Sequence, residues 1–219
     1  MQNPSARRAR ANDGAAGRAD YAMHPNPIFR SDPASLLDHA AAIGFAHLFV
    51  STPAGPMVAH APLTLHGDRL RFHIARHNRI HAHLDGATLL ASVAGPDGYV
   101  SPNWYERSGN QVPTWNYITI EIEGIVRAIP EDALLEQLDA LADRHEPRPT
   151  PWTRAKTDPA VVATMLRAIE GFEIEVTAIR GTTKLAQHKS VADRAGVIAG
   201  LRERGDHALA DAMAATLAR

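Results

Sequence analysis

Short hydrophobic segments alternate with turn-forming residues through the first half of the chain. Clusters of Gly, Pro, Asp and His separate them, as in Thr52-Pro53-Ala54-Gly55 and His66-Gly67-Asp68. Strand-length segments divided by such turns are typical of an antiparallel meander. The pattern predicts four strands, at Phe45–Ser51, Met57–Leu65, Leu70–Ala75 and Thr88–Val93.

The second half contains a strict two-residue alternation from Tyr117 to Ile129. Ile118, Ile120 and Ile122 fall on one face, with Thr and Glu residues on the other. We expect Gly124 to mark a β-bulge, because glycine inside a strand often does. The segment Phe172–Ile179 alternates in the same way and predicts the last strand.

Helical segments lie around these strands. The first begins at Ser31-Asp32-Pro33, where a capping side chain precedes a proline, and stops at Gly44. The others are predicted at Asn78–Leu84, Glu131–Glu146, from Asp158-Pro159 onward, and over Asp193–Ala218 with a break at Gly205-Asp206. Together, the predicted strands and helices indicate an α+β fold, a small antiparallel barrel with peripheral helices.

Composition excludes several classes of protein. The chain has 219 residues and no cysteine, which removes disulfides, cysteine-ligated zinc, iron–sulfur clusters and thiol nucleophiles. Its net charge near −1 argues against direct binding of nucleic acid. The Gly-x-Ser-x-Gly, Gly-x-Gly-x-x-Gly and Walker motifs are absent, as is a basic helix-turn-helix.

The first 20 residues differ from the remainder. They are rich in Ala, Gly, Asn and Ser with scattered Arg, so we expect a disordered tail over residues 1–20 and one domain over residues 21–219. They lack the apolar stretch of a secretory signal. The longest apolar run, Ile43 to Val50, is far short of a membrane span of about 20 residues. A cytoplasmic protein is expected.

Basic residues follow the third predicted strand. Arg76-His77-Asn78 lies where this strand meets the next helix start, and fixed donors at such a junction suit an anion such as phosphate. A solvated basic turn is the alternative. The His77 and His81 spacing also occurs in metal sites, but no third ligand accompanies it. His60 lies between apolar residues of a predicted strand, so we expect a hydrogen-bonded core histidine there.

Aromatic residues are concentrated in a predicted loop between Gly95 and Thr114 and just beyond it. Five of the seven Trp and Tyr residues fall within nineteen positions there. Aromatic faces with polar tips suit stacking on a flat ring system. The alternative is a second hydrophobic cluster beneath a long loop.

Several ordered motifs make the chain similar to a known family. They include Phe29-Arg30, His60-Ala61-Pro62-Leu63, His73-Ile74-Ala75-Arg76-His77-Asn78, Gly95-Pro96, Tyr99-Val100-Ser101-Pro102-Asn103-Trp104-Tyr105, Val112-Pro113-Thr114-Trp115-Asn116-Tyr117, Gly171-Phe172-Glu173-Ile174-Glu175 and Lys184-Leu185-Ala186-Gln187. Over Met23 to about Arg204 the chain resembles the PaiB-like family, often called FMN-binding negative transcriptional regulators.

The resemblance implies the split antiparallel β-barrel of flavin reductases and pyridoxamine-phosphate oxidases, in homodimers that hold FMN at the subunit interface. It implies a small-molecule ligand and a redox or regulatory role, and it leaves open whether the protein is an enzyme. The cofactor-binding residues expected are His60, His73, Arg76, His77, Asn78, Tyr99, Ser101, Trp104, Tyr105, Thr114, Trp115, Asn116, Lys184 and Gln187. Asn116 is expected at a barrel rim.

One departure and two alternatives accompany the resemblance. Ala186 and His188 stand where many relatives have Ser and Asn, which puts cofactor or substrate contacts there in doubt. The same family contains piperazate synthases, so haem b is the alternative cofactor, with His60 or His73 as its axial ligand and no other metal expected. A DNA-binding repressor is the second alternative and rests on the family label alone.

Overall fold

The computed structural model describes residues 23–107 and 109–217, so the tail expected over residues 1–20 lies outside it. Seven strands are present: β1 (Phe45–Thr52), β2 (Gly55–Pro62), β3 (Thr64–His66), β4 (Arg69–Ala75), β5 (Thr88–Val100), β6 (Thr114–Ala128) and β7 (Ile169–Lys184). The α-helices are α1 (Leu36–Ile43), α2 (Glu131–His145), α3 (Pro159–Leu166), α4 (Val191–Arg204) and α5 (His207–Ala215). Short 3-10 turns include Pro33–Ser35, His81–His83 and Pro102–Trp104.

All seven strands belong to one antiparallel sheet in the order β2-β1-β5-β6-β7-β4-β3. The sheet curls until β2 lies against β4, which makes the expected split barrel. Its inner face is apolar because alternate side chains of each strand point inward: Ile120 and Ile122 of β6 are fully buried. Phe72 and Phe172 stack in this core with ring centroids 5.5 Å apart.

The strands differ from their predicted lengths for local reasons. The predicted strand Met57–Leu65 is two strands, broken at Leu63, whose N–H donates to the carbonyl of Gly44. β5 continues through Gly95-Pro96 because a register shift between Ala94 and Asp97 absorbs the irregularity. A second shift, between Glu123 and Gly124, confirms the predicted bulge.

The helices follow the sequence more closely, with one exception. The segment predicted as a helix over Asn78–Leu84 is a series of turns containing only the 3-10 turn His81–His83. The C-terminal segment is two helices separated at Gly205-Asp206, where Gly205 has a φ of 90°. Both pack on a second hydrophobic cluster that includes Val100, Leu185 and Leu209. No helix in the described ranges is long and apolar enough to cross a membrane.

Candidate functional site

Apart from His60 on β2, the residues expected to bind a cofactor divide between the two ends of β7. The Arg76 N–H donates to the carbonyl of Ala168, just before this strand begins, whereas Lys184 is its last residue. A strand rises about 3.3 Å per residue, so the 16 residues of β7 keep these ends too far apart for one phosphate to contact both. We call them the Arg76 end and the Lys184 end.

At the Arg76 end, one carboxylate holds two of the basic side chains. Arg76 Nη1 lies 2.9 Å from Glu170 Oε2, and His81 Nε2 contacts the same oxygen. The Asn78 Oδ1 accepts a hydrogen bond from the N–H of Ile80 at 3.2 Å and so stabilises the turn. His77 is exposed. The turn therefore presents the Arg76 guanidinium to solvent, but Glu170 partly neutralises its charge.

A cleft of about 510 Å³ opens at the start of β5, and Arg76, His77 and Asn78 are not among its lining residues. It lies between the β1–β2 hairpin and the first residues of β5, and its volume is within the usual range of ligand pockets. The lining residues are Phe49, Val50, Ser51, Pro56, Ala87, Thr88, Leu89, Leu90 and Glu123. The Phe49 ring is 40% exposed and supplies an aromatic wall.

The two candidate haem ligands occupy different environments. His60 lies on the outer face of β2, directly opposite His47 of β1, with the two ring centroids 4.9 Å apart. It is exposed rather than a core histidine, because its neighbours Ala59 and Ala61 take the inward positions of the strand.

His73 lies on the outer side of β4 beneath α2. Its Nδ1 is 3.2 Å from Oε1 of the fully buried Gln137, and burial lowers the pKa of His73. A haem could reach His73 only if α2 and its contact from Gln137 were displaced.

At the Lys184 end, the outer face carries an aromatic pair beside a lysine. Tyr99 and Trp115 stand opposite each other on β5 and β6, 39% and 50% exposed, and the Trp115 indole donates to Asp97 Oδ1 at 2.8 Å. Lys184 Nζ donates to Thr114 Oγ1 at 2.7 Å, and burial lowers the pKa of Lys184. This end thus offers a flat apolar surface next to a cation.

The other expected aromatic residues pack within the second hydrophobic cluster. The indole of Trp104 fits against Gly200 of α4, where an added Cβ would lie 2.4 Å from the ring, and Arg204 covers it at 5.2 Å. Tyr105 is buried beneath Lys189. Both rings have protein neighbours on their faces, as the alternative of a cluster beneath the loop implies.

The polar residues near this loop support the backbone. The Ser101 hydroxyl accepts a hydrogen bond from the N–H of Asn103 and caps a 3-10 turn. The Gln187 side chain accepts from the N–H of Leu185 at 2.8 Å and donates to the carbonyl of Thr183. These contacts close the turn that follows β7.

The rim position expected for Asn116 is not observed. Asn116 is completely buried, its Nδ2 is 3.4 Å from Met213 Sδ, and its Oδ1 has no hydrogen-bond partner among the described residues. The expectation is wrong because α5 covers this end of β6, which the local sequence does not reveal.

Sequence reasoning also missed residues that shape the Arg76 turn and the cleft. Glu170 binds Arg76 across 94 positions, and Phe49 lines the cleft from β1. The alternation of β1 could have identified Phe49, because it shares a face with the polar His47. For Glu170 the local sequence carries no signal.

Comparison with known proteins agrees with this architecture. The family described as "Putative FMN-binding domain" matches residues 23–178. The chain is 33% identical to Protease synthase and sporulation protein PAI 2 of Bacillus subtilis over 115 residues, 52% of this chain and 55% of that protein. The match therefore spans only about half of that relative. An uncharacterized protein of Emericella nidulans is 26% identical over 217 residues, 83% of this chain and 86% of that protein.

Solved structures show the same fold at low identity. A FAD and haem binding protein from Mycobacterium smegmatis superposes with a TM-score of 0.53 at 16% identity, over 76% of this chain and 78% of that one. The flavocytochrome Anf3 from Azotobacter vinelandii gives a TM-score of 0.52 at 16% identity, over 75% and 73%. With a split barrel in the structure and a family match across most of its length, the chain belongs to the PaiB-like family of FMN-binding-domain proteins.

Proposed function

We propose that the protein is a homodimeric flavoprotein that binds FMN and acts in small-molecule redox chemistry. The observation that carries this proposal is the cleft at the start of β5, which the basic Arg76-His77-Asn78 turn precedes in the chain. The aromatic wall and the polar groups of Ser51 and Thr88 suit a flat ring system, and the Arg76 turn outside the cleft supplies a cation for a phosphate.

The residues of the Arg76 end fit such a cofactor. In this proposal Arg76, His77 and Asn78 hold the phosphate, with Arg76 exchanging its contact with Glu170 for the anion. Phe49 packs against the ring, and the hydroxyl groups of Ser51 and Thr88 bind its edge. FMN supplies the electron or hydride transfer when bound, and the protein supplies orientation and electrostatics.

The separation of the two ends supports a dimeric site. Trp115 and Lys184 cannot reach a phosphate held at the Arg76 end of their own chain, because the length of β7 lies between. The proposed two-fold dimer is one in which the Lys184 end of one protomer faces the Arg76 end of the other. Phe45 and Phe49 on the outer face are 49% and 40% exposed, and burying them supports such an association.

Parallel titrations with FMN and riboflavin test the assignment. We expect flavin fluorescence to be quenched on binding, and Arg76→Gln to weaken FMN several-fold while leaving riboflavin unchanged. Phe49→Ala should weaken both flavins, because it removes the wall under the ring. His145→Asn, an exposed change at the end of α2, is the control. No quenching by either flavin would refute the proposal.

A haem protein is the second candidate, favoured by the exposed His60 on the outer face. The Mycobacterium smegmatis and Azotobacter vinelandii structures are described as a haem-binding protein and a flavocytochrome. Here His60, unlike His73, is accessible without displacing a helix. Haemin titration should then give a Soret band that His60→Ala changes and His73→Ala does not. If His60→Ala leaves the band unchanged, this ligand assignment is wrong.

A further inference from the structure

Three side chains of the Lys184 end share one surface of the sheet. Lys184 stands directly opposite Tyr117, and Thr182 stands opposite Thr119. On the other side of β7, Arg30 pairs with Thr182 in an isolated antiparallel bridge. Directly opposed residues of an antiparallel pair project from the same face, as do residues two apart in a strand. The backbone positions of Arg30, Thr182 and Lys184 are therefore neighbours on the outer face, and the Lys184 side chain extends from there to Thr114.

The hydroxyl of Thr182 is buried and unsatisfied. Thr182 is 1% exposed, and its Oγ1 has no hydrogen-bond partner among the described residues. The neighbouring hydroxyls of Ser31 and Thr183 satisfy each other at 2.8 Å. A buried polar group without a partner costs folding free energy, so native proteins rarely retain one without a reason.

The two cations beside this hydroxyl have no carboxylate partner within the described ranges. The Arg30 guanidinium is exposed and forms no ion pair there, and Lys184 is held by the neutral hydroxyl of Thr114. Burial lowers the pKa of nearby His188, and the charges of Lys189 and Lys184 lower it further. Asp97 of β5 stands opposite Tyr117, and its Oδ1 accepts a hydrogen bond from the indole of Trp115.

We propose that Arg30, Thr182 and Lys184 form a binding site for a small oxyanion, the phosphate or carboxylate group of a ligand. Two cations and a hydroxyl donor on one face complement an oxyanion, and charge-assisted hydrogen bonds to it are strong. On binding, Lys184 would exchange its contact with Thr114 for the anion, which would also satisfy the Thr182 hydroxyl. The site does not rest on flavin binding at the Arg76 end.

Inorganic phosphate is the probe for this site. Its affinity is measured by calorimetry at constant ionic strength for the full chain and for Arg30→Gln, Thr182→Val and Lys184→Met. We expect each substitution to weaken phosphate at least several-fold. Lys156→Met is the control, because the Lys156 ammonium binds the carbonyl of Pro151 in a different, exposed loop.

Stability without ligand separates a binding role from a structural one. Thr182→Val removes an unsatisfied buried hydroxyl at nearly constant shape, and Lys184→Met removes a partly buried charge. Both should therefore raise the melting temperature of the ligand-free protein while weakening phosphate. A fall in melting temperature with phosphate affinity unchanged would make these residues structural and overturn the proposal.

The oxyanion can come from two sources, which flavin titrations distinguish. If it is the phosphate of FMN reaching this end from a second protomer, Lys184→Met weakens FMN but not riboflavin, and free phosphate competes with FMN. If it belongs to a separate anionic substrate, FMN affinity is unchanged and phosphate binds alongside it. Either result supports the oxyanion site. If the protein binds phosphate but does not bind FMN, only the flavin proposal is refuted. Phosphate affinity unaffected by all three substitutions overturns the site.

Discussion

Arg76 Nη1 lies 2.9 Å from Glu170 Oε2, and this contact joins the turn after β4 to the first residues of β7. The same carboxylate holds His81 from the 3-10 turn that follows. One acidic residue therefore positions an arginine and a histidine of this turn and offsets the positive charge of Arg76. The affinity of the Arg76 end for an anion depends on how readily Glu170 gives up Arg76.

Glu170→Gln should tighten FMN several-fold and leave riboflavin unchanged. The substitution removes the negative charge that competes with a phosphate for Arg76 while keeping the side chain's shape. The cost in stability should be small, about 0–1 kcal/mol, because the pair is partly solvent-exposed. Fluorescence titration and chemical denaturation of the same preparation check both parts. Weaker FMN binding in this variant would place the phosphate elsewhere.

Stability should fall as the pH is lowered through the ordinary His pKa, partly because of His73. Burial lowers the pKa of His73 below its usual 6.5, so on acidification the unfolded chain takes up a proton first. The free energy of unfolding therefore declines until folded His73 also becomes protonated. The pKa values of His66 and His188 are lowered too and act in the same direction.

Urea denaturation between about pH 8 and about pH 5 measures this dependence. His73→Gln should reduce the slope of stability against pH, and His145→Asn on the exposed end of α2 should leave it unchanged. Equal slopes in the protein and His73→Gln would show that His73 does not couple folding to protonation.

Gly200→Ala should destabilise the protein although alanine favours helices. An added Cβ would lie 2.4 Å from the Trp104 indole, so overpacking of about 1–3 kcal/mol should exceed the usual helix-propensity gain of about 1 kcal/mol. Gly109→Ala, with open space around it, should be nearly neutral. Thermal melts would contradict the packing if Gly200→Ala were the more stable protein.

Asn116→Leu should preserve or raise stability and leave FMN affinity unchanged. The substitution removes a buried, unsatisfied Oδ1 and keeps the branched shape of the side chain, and replacing such a group by an apolar one of the same shape is nearly neutral or stabilising. Calorimetry and flavin titration on one preparation decide the point. Weaker FMN binding without loss of stability would return Asn116 to the cofactor site.

The sheet was predictable from sequence where a two-residue period reports burial on one face. Ile118, Ile120 and Ile122 define β6 in this way, and Gly124 marks its bulge correctly. The ends of β5 were not predictable, because Gly95-Pro96 has the composition of a loop although the register shift lets the strand continue.

The site was predictable only in its residue types. Arg76-His77-Asn78 identifies a basic turn, but Glu170 reaches it from 94 positions away, and local spacing carries no record of such a pair. The same reason applies to Asn116, which becomes a core residue only when α5 folds over it. The motifs therefore indicated which segments carry the candidate site residues, but they did not indicate which of those side chains are accessible.

Equilibrium titration of the purified, flavin-free protein with FMN tests the central claim most directly. We predict saturable quenching of flavin fluorescence with one FMN per chain, weakened by Arg76→Gln and by Phe49→Ala and unaffected by His145→Asn. Quenching that is absent, or that is equally strong in Arg76→Gln and Phe49→Ala, would contradict a flavin site formed by the cleft and the Arg76 turn.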